Sequence, residues 1–326
     1  MRIVITGGCG FLGRRLALLL LERGSGLGPI DELVLFDNAA SALPLPEDAR
    51  VSLVTGDIAD RETVRRLIAP GTDAVFHLAA IVSGQAESDT DLGYRVNLDG
   101  TRAVLDACRA LGTAPRLIFA SSLAVYGGKL PPAVGDDTPL TPQTSYGAQK
   151  AIGELLVNDY SRKGYIDGRA LRLPTVVVRP GLPNRAASTF ASSMIREPLA
   201  GRGAVCPVVP ETVMALASPR RVVAALAHAL ALPGEAFGAN RTLQLPGFSA
   251  TVGEMAAALR RAGGEAAHAL LRWEPDPLVQ RIISSWPMAL ATPRADALGF
   301  ERDSGIDEAV RFFIEDDLAM QKTLTG

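Results

Sequence analysis

Residues 2–13 read RIVITGGCGFLG, and the reading of the fold starts there. Arg2 to Thr6 is a short apolar, β-branched run, the pattern of a buried strand. A glycine cluster follows at once. Counted from Gly8 it spells G-x-G-x-x-G; counted from Gly7 it spells G-x-x-G-x-x-G. In either register the glycines, Gly7 or Gly8 with Gly10 and Gly13, allow a tight turn and a close approach of backbone to a diphosphate. Phe11 and Leu12 then open a helix to about Arg23, whose first N–H groups point toward the same anion. A glycine motif by itself is weak; a strand before it and a helix after it are its confirming context. Cys9 reads as a small buried residue in the turn.

Working outward, Glu32 to Phe36 is a second strand, ended by Asp37. An acid there is placed to accept both ribose hydroxyls of an adenosine and to repel a 2′-phosphate. No arginine stands in Asn38-Ala39-Ala40, which favours NAD over NADP. Val51 to Thr55 is a third strand. After it Asp57 either meets the adenine amino group, with Ile58 beside it, or is a turn acid. Asp60 caps a helix from Arg61 to Ile68. Ala74 to Leu78 is the next strand, and the small side chains of Ala79 and Ala80 after Leu78 let backbone approach the cofactor. Ser83 lies where a substrate can reach it. Leu92 to Leu111 reads as one long helix, with Tyr94, Leu98, Thr101, Leu105 and Cys108 at spacings of three and four. Asn97 within it either orients Lys150 or merely sits in the helix.

The second deciding stretch is 117–150, LIFASSLAVYGGKLPPAVGDDTPLTPQTSYGAQK. A strand from Arg116 to Ala120 leads into Ser121-Ser122, and a loop rich in Gly, Pro and Asp leads to a helix carrying Tyr146 and Lys150. Residues four apart share a helix face. A free tyrosine titrates near ~10, too high for a base at neutral pH; a lysine one turn away favours the phenolate. Ser122, at the strand end, is placed to hold a substrate oxygen. Alone, Tyr-x-x-x-Lys is more often an ordinary amphipathic helix; the glycine loop and Asp37 upstream change that balance.

Strands and helices alternate at this rhythm through the first half, which means α/β architecture with a parallel, doubly wound sheet. Arg169 to Val178 is a sixth strand, interrupted by Pro174. From Arg179 to Pro210 the composition turns to proline and polar runs. The expected division is residues 1–179 for the cofactor and 180–326 mainly for the substrate, with part of 213–245 returning to the first domain. Val222 to Leu232 is an apolar helix, Arg241 to Leu245 a short strand, Thr251 to Ala262 an amphipathic helix. Ser304 to Leu318 is a last helix, capped by Ser304 or Asp303.

The chain of 326 residues carries a net charge of -2, so no basic field points to nucleic acid or an anionic membrane. Cys9, Cys108 and Cys206 are far apart and odd in number, which fits a reducing compartment. His77, His228 and His268 lack metal-ligand spacing and read as packed or surface residues. The start, MRIVITGG, has no signal-peptide pattern, and no apolar run approaches the ~20 residues of a membrane span. A cytoplasmic protein is expected, with no metal. Helices 92–111 and 146–162 carry apolar residues on more than one face, among them Leu98, Leu105, Leu155, Leu156 and Val157. That predicts a homodimer paired through them.

With these residues in place, the chain resembles the extended short-chain dehydrogenase/reductase, or NAD-dependent epimerase/dehydratase, family. The resemblance rests on Thr6-Gly7-Gly8-x-Gly10-Phe11-Leu12-Gly13, Ser121-Ser122-x-x-Val125-Tyr126-Gly127 and Tyr146-x-x-x-Lys150, in family order and spacing. It implies NAD as cofactor, Ser122 and Tyr146 on the substrate hydroxyl, Tyr146 as base, and Lys150 on the nicotinamide ribose. Tyr126 is not the catalytic tyrosine in this reading. PQTSYGAQKAIGELLVNDYSRKG, DGRALRLPTVVVRPG, IREPL and SPRRVV further resemble members that oxidise the C2 hydroxyl of a four-carbon aldonic acid. A sugar-acid substrate needs a cation, for which Arg179 and Arg220 are favoured; Arg185 and Arg196 read better as surface arginines. Two other classes compete: a nucleotide-sugar epimerase or dehydratase of the same fold, and a non-catalytic NAD sensor. Dehydratases carry Asp-Glu after the Ser/Thr, where this chain has Leu123-Ala124.

Overall fold

The computed structural model describes residues 1–40, 44–182 and 188–325, and the chain divides into two compact units. The first holds Met1–Val125, Thr144–Arg172 and Val223–Leu243; the second holds Tyr126–Gln143, Leu173–Val222 and everything from Gln244. Composition suggests a main cut near residue 179 with part of 213–245 returning to the first domain; the chain crosses between units at 125/126, 143/144, 172/173, 222/223 and 243/244.

The strands are β1 (Arg2–Thr6), β2 (Glu32–Asp37), β3 (Val51–Thr55), β4 (Thr72–His77), β5 (Arg116–Ser122), β6 (Asp167–Leu173), β7 (Thr175–Val176), β8 (Ala204–Cys206), β9 (Val213–Ala217), β10 (Thr242–Gln244), β11 (Phe248–Thr251) and β12 (Leu271–Trp273). Seven form the sheet of the first unit in the order β10-β6-β5-β4-β1-β2-β3. β1 pairs in parallel with β2 and with β4, β2 with β3, and β4 with β5. This is the expected doubly wound α/β sheet. Ile3, Val4, Ile5 and Thr6 are fully buried at its centre, as a strand covered on both faces requires. Because these strands run the same way, Gly7, Asp37, Leu78 and Ser122 all leave the same edge of the sheet. The order reverses between β1 and β4, and such a switch point is where doubly wound sheets open a crevice.

The helices of the first unit are α1 (Phe11–Arg23), α2 (Arg61–Leu67), α3 (Ser83–Ser88), α4 (Thr90–Gly93), α5 (Gly100–Leu111) and α6 (Ser145–Arg162). Asp60 caps α2 through Glu62 N–H, and Thr144 caps α6 through Gly147 N–H. The single helix expected over 92–111 is interrupted: Tyr94–Asp99 is π-helical between α4 and α5. The wider turn shifts the phase of the apolar stripe. Thr101, Leu105 and Cys108 are buried beyond it, while Tyr94 at its start is exposed.

In the second unit the expected sixth strand divides at Pro174, which has no N–H to continue a ladder. β6 stays in the large sheet, and β7 joins a three-stranded sheet in the order β11-β9-β7. β8 and β12 pair separately. The helices α7 (Thr189–Leu199), α8 (Pro219–Ala231, shared between the units) and α9 (Val252–His268) follow, with later ones at Pro277–Ser284, Pro293–Ala297, Ile306–Asp316 and Leu318–Thr325. α9 opens on a capping box of Thr251 and Glu254. The cap expected at Ser304 or Asp303 is absent: Gly305 precedes Ile306–Asp316 without a side-chain cap. Asp303 instead accepts the Ser218 N–H, a bond across 85 residues that local pattern does not reveal. The core of this unit gathers Val177, Met194, Leu216, Met255, Leu259 and Phe313.

Candidate active site

The glycine loop is fixed by how closely other backbone crosses it. Gly7 has φ +70, a left-handed value glycine adopts at no steric cost. A Cβ on Gly7 would lie 2.8 Å from Ala79 N, and one on Gly13 would lie 2.3 Å from Gly7 O. Both positions therefore admit only glycine. Gly10 differs: its Cβ would meet only Gly7 O, at 3.2 Å, so that face of the loop is open. Gly10 precedes α1, no side chain caps the helix N-terminus, and Phe11, Leu12 and Gly13 form its first turn. An open glycine cradle on an uncapped helix start fits a diphosphate.

Asp37 ends β2 beside this loop. Its Oδ2 accepts Cys9 N–H at 3.1 Å and its Oδ1 accepts Asn38 N–H at 2.8 Å. The loop after β4 completes the rim: Leu78 N–H donates to Thr6 O, and Ala79 N–H to Thr6 Oγ1, with Ala80 next in line. Asp57 has partners within the chain, Ala59 N–H at 2.9 Å and Arg95 Nη1 at 2.5 Å, and these bonds, the backbone one first, hold its carboxyl below the usual range. Ile58 is a core side chain, buried beneath Gly100. Ser83 opens α3 and is half-buried.

Asn97 lies buried in the π-helical turn. Its Oδ1 accepts Ile81 N–H at 2.9 Å, and its Nδ2 donates to Gln149 Oε1 at 2.8 Å. Asn97 thus ties the loop beyond Ala80 to α6, one residue before Lys150. Sequence reasoning missed Gln149 as a partner; an amide residue directly before the Tyr-x-x-x-Lys lysine is its only mark there. Glu87, on α3, accepts Ser145 N–H at the start of α6.

Ser122, Tyr146 and Lys150 stand around the end of β5. Ser122 Oγ accepts Ala124 N–H at 3.1 Å, which leaves its own proton to donate. Lys150 is only 3% exposed, donates to Ala120 O at 2.8 Å, and lies 5.6 Å from the Tyr146 ring centroid and 4.8 Å from that of Phe119. Burial pulls its pKa down to about 8, and the nearby Glu154 carboxylate raises it against that trend. Tyr126 is buried and donates to Gly135 O at 2.8 Å, a packing role.

The arginines of the second unit are placed as follows. Arg179 is half-buried; its N–H donates to Ser192 Oγ and its guanidinium to Ser188 Oγ at 3.4 Å. Arg220 binds Asp316 and Glu315 and stacks 3.9 Å over Phe312, and those carboxylates push its pKa up. Arg196, read as a surface arginine, is buried: it pairs with Glu197 and donates to Arg179 O. Arg185 lies outside the described residues.

A glycine loop whose geometry fits a diphosphate, in one unit with a buried lysine and a half-buried tyrosine one helical turn apart, marks an NAD-linked enzyme of the doubly wound class. The chain belongs to the NAD dependent epimerase/dehydratase family, whose model matches residues 3–225. It is 55% identical over 321 residues to a D-erythronate dehydrogenase of Cupriavidus necator, covering 97% of this chain and 98% of that protein. It is 47% identical over 318 residues to a D-erythronate dehydrogenase of Haemophilus influenzae, covering 98% of this chain and 100% of that protein. A solved structure described as a nucleoside-diphosphate-sugar epimerase from Agrobacterium tumefaciens is similar at a TM-score of 0.92 and 44% identity, covering 98% of this chain and 95% of its own. Among the described residues no helix is long and apolar enough to cross a membrane, and no group of three or more His, Cys, Asp or Glu is arranged to hold a metal.

Proposed function

We propose that this chain is an NAD-dependent dehydrogenase that oxidises the C2 hydroxyl of D-erythronate to the 2-keto acid. The observation that carries the reading is the buried Lys150 beside Tyr146, in a chain alike over nearly its whole length to D-erythronate dehydrogenases. NAD, when bound, supplies the hydride acceptor. The glycine loop, with Phe11 and Leu12, takes the diphosphate, and Asp37 takes the adenosine ribose. The rim of Leu78, Ala79, Ala80 and the Asp57–Ile58 turn closes over the rest. Ser122 donates its proton to the substrate oxygen and Tyr146 takes the hydroxyl proton. Lys150 favours the phenolate and holds the nicotinamide ribose; Asn97 positions it through Gln149. Ser83 faces the substrate. The 180–326 half serves mainly the substrate.

The test follows NADH absorbance across a panel of aldonic, uronic and 2-hydroxy acids, with NAD and NADP side by side. D-Erythronate with NAD is expected to give the highest kcat/KM, and Asp37→Ala to erode the preference for NAD. Net NADH also excludes an epimerase, which returns its hydride, and a sensor, which makes none. No NADH from any acid sinks the reading.

For the carboxylate, Arg179 is favoured over Arg220, whose charge is already matched by Asp316 and Glu315. Arg179→Met is expected to raise KM for the acid about tenfold or more, from loss of a charge-assisted hydrogen bond worth roughly 1.5–3 kcal/mol. Arg220→Met is expected to lower the melting temperature and leave that KM in place. The reverse pattern in the two variants reassigns the carboxylate to Arg220.

The protein is read as a cytoplasmic homodimer paired through residues 92–111 and α6. Leu105 and Val157 are buried within the chain and Leu98 and Leu156 half-buried, so the free apolar face is narrower than the sequence suggests. Leu155, 66% exposed on α6, supports the pairing. Light scattering that finds only monomer at micromolar concentration removes it.

A further inference from the structure

We infer that Glu154, clamped by Arg172 and Ser121, is a positioning residue for Lys150: it sets the register of α6 on β5 and supplies the anion that balances the buried ammonium. This rests on the dehydrogenase reading, in which a charged Lys150 supports the Tyr146 phenolate.

The geometry is a two-point attachment. Lys150 and Glu154 are one turn apart on α6 and so share a face. They reach consecutive residues of β5: Lys150 Nζ donates to Ala120 O at 2.8 Å, and Glu154 Oε1 accepts Ser121 Oγ at 2.5 Å. The next residue is Ser122. The helix that carries Tyr146 and Lys150 is thereby fixed to the strand end that carries Ser122. Arg172 of β6 holds the carboxylate from behind, with Nε 3.0 Å from Oε1 and Nη2 2.8 Å from Oε2. Glu154 is 2% exposed and the Arg172 side chain 5% exposed, so neither charge is solvated by bulk water.

A clamp of this kind does not require a charge, since Ser121 is content with any acceptor. The charge has a separate consequence. The titratable and charged groups around Lys150 are Tyr146 and Glu154 on its own helix, His77 on β4 and, behind Glu154, Arg172 on β6. His77 is fully buried, and burial pulls its pKa down to about 3, so it stands neutral beside the lysine. Glu154 carries the standing negative charge of this set and raises Lys150 against the effect of burial. Arg172 offsets part of it. Loss of Glu154 and loss of Arg172 therefore act on Lys150 with opposite signs.

Lys150 can be watched without substrate or cofactor, because the chain has four lysines, Lys129, Lys150, Lys163 and Lys322, and the other three are exposed. The probe is ¹³C-labelled lysine followed by NMR through a pH titration, with Lys150→Met assigning its Cε signal. The expected midpoint is about 8 in the wild type, lower by about one unit or more in Glu154→Gln, and higher in Arg172→Gln. The alkaline fall of kcat is expected to move in the same order, with little change in KM. Removing one member of a buried pair is strongly destabilising, whereas replacing both by apolar residues is often tolerated. Glu154→Leu with Arg172→Leu is therefore the arm that keeps the fold, and its Lys150 midpoint is expected to fall. Midpoints that stay within about 0.2 unit of wild type, or that move the same way in both single variants, overturn the inference and leave Glu154 a packing residue. Midpoints in the stated order in a chain that makes no NADH from any acid uphold the electrostatic role while the dehydrogenase reading falls.

Discussion

Tyr146→Phe will leave the chain folded and able to bind NAD, and will lower turnover of the sugar acid by about 10²–10⁴-fold, the usual cost of losing a general base. Only the hydroxyl is removed, and the ring remains to fill its half-buried site. In the proposed reading cofactor affinity is set mainly elsewhere, by the open face at Gly10, the start of α1 and Asp37. Lys150 keeps its bond to Ala120 O and its place against Phe119, so the variant does not free a buried charge. The loss is therefore expected in kcat, with the dissociation constant of NAD, read by fluorescence or calorimetry, changed little. Tyr126→Phe is the control. It removes a buried hydroxyl that donates to Gly135 O, so it is expected to lower the melting temperature and spare turnover. A Tyr146→Phe enzyme with near wild-type kcat ends the assignment of Tyr146 as base.

The parts of the candidate site that are legible in the sequence are those whose pattern is local. The glycine cluster between a strand and a helix, Asp37 at the end of β2, and Tyr146 four residues before Lys150 each declare themselves within a short window. What was not legible depends on pairings across the sheet. Glu154 reads as one more acid on a helix until β6 brings Arg172 to it. Asn97 reads as either a residue that orients Lys150 or one that merely sits in a helix, and the π-turn that aims it at Ile81 and Gln149 leaves no periodic signal over six residues. Pro174 marked the interruption of the sixth strand, but not that the chain would change sheets there. Arg220 and Arg196 look alike as cations in the sequence. Topology gives one to Asp316 and Glu315 and buries the other beside Glu197, and nothing nearby in the chain announces Asp316.

Acid will destabilise this protein earlier than its carboxylates alone require, and His77 is the cause. The imidazole is fully buried between two threonines, with Nδ1 2.7 Å from Thr6 Oγ1 and Nε2 3.0 Å from Thr101 Oγ1. Thr101 gives its own proton to Asn97 O at 2.6 Å, so it accepts from Nε2–H, and Thr6 donates to Nδ1. Each hydrogen bond in this row then has one donor and one acceptor, and the row fits the neutral ring. A second ring proton at Nδ1 would meet the Thr6 hydroxyl that now donates to it, next to a buried Lys150. Burial, with the Lys150 charge behind it, accordingly pulls the pKa from 6.5 to about 3. The sign follows from linkage. A depressed pKa in the folded state means that the unfolded chain binds the proton first. Stability is thus full above pH 6.5 and is lost as pH falls toward 3. From pH 7 to 4.5 that loss is about 3 kcal/mol, a large part of the roughly 5–15 kcal/mol of a typical fold. Ordinary carboxylates titrate mostly below that window, near ~4, so the two effects separate. Urea unfolding at steps between pH 7 and 4.5 measures it. His77→Gln, which keeps a donor and an acceptor but cannot titrate, is expected to start less stable at pH 7 and to show a much flatter decline. If the variant falls as steeply as the wild type over that range, the proton is taken up elsewhere and His77 is only a packed ring.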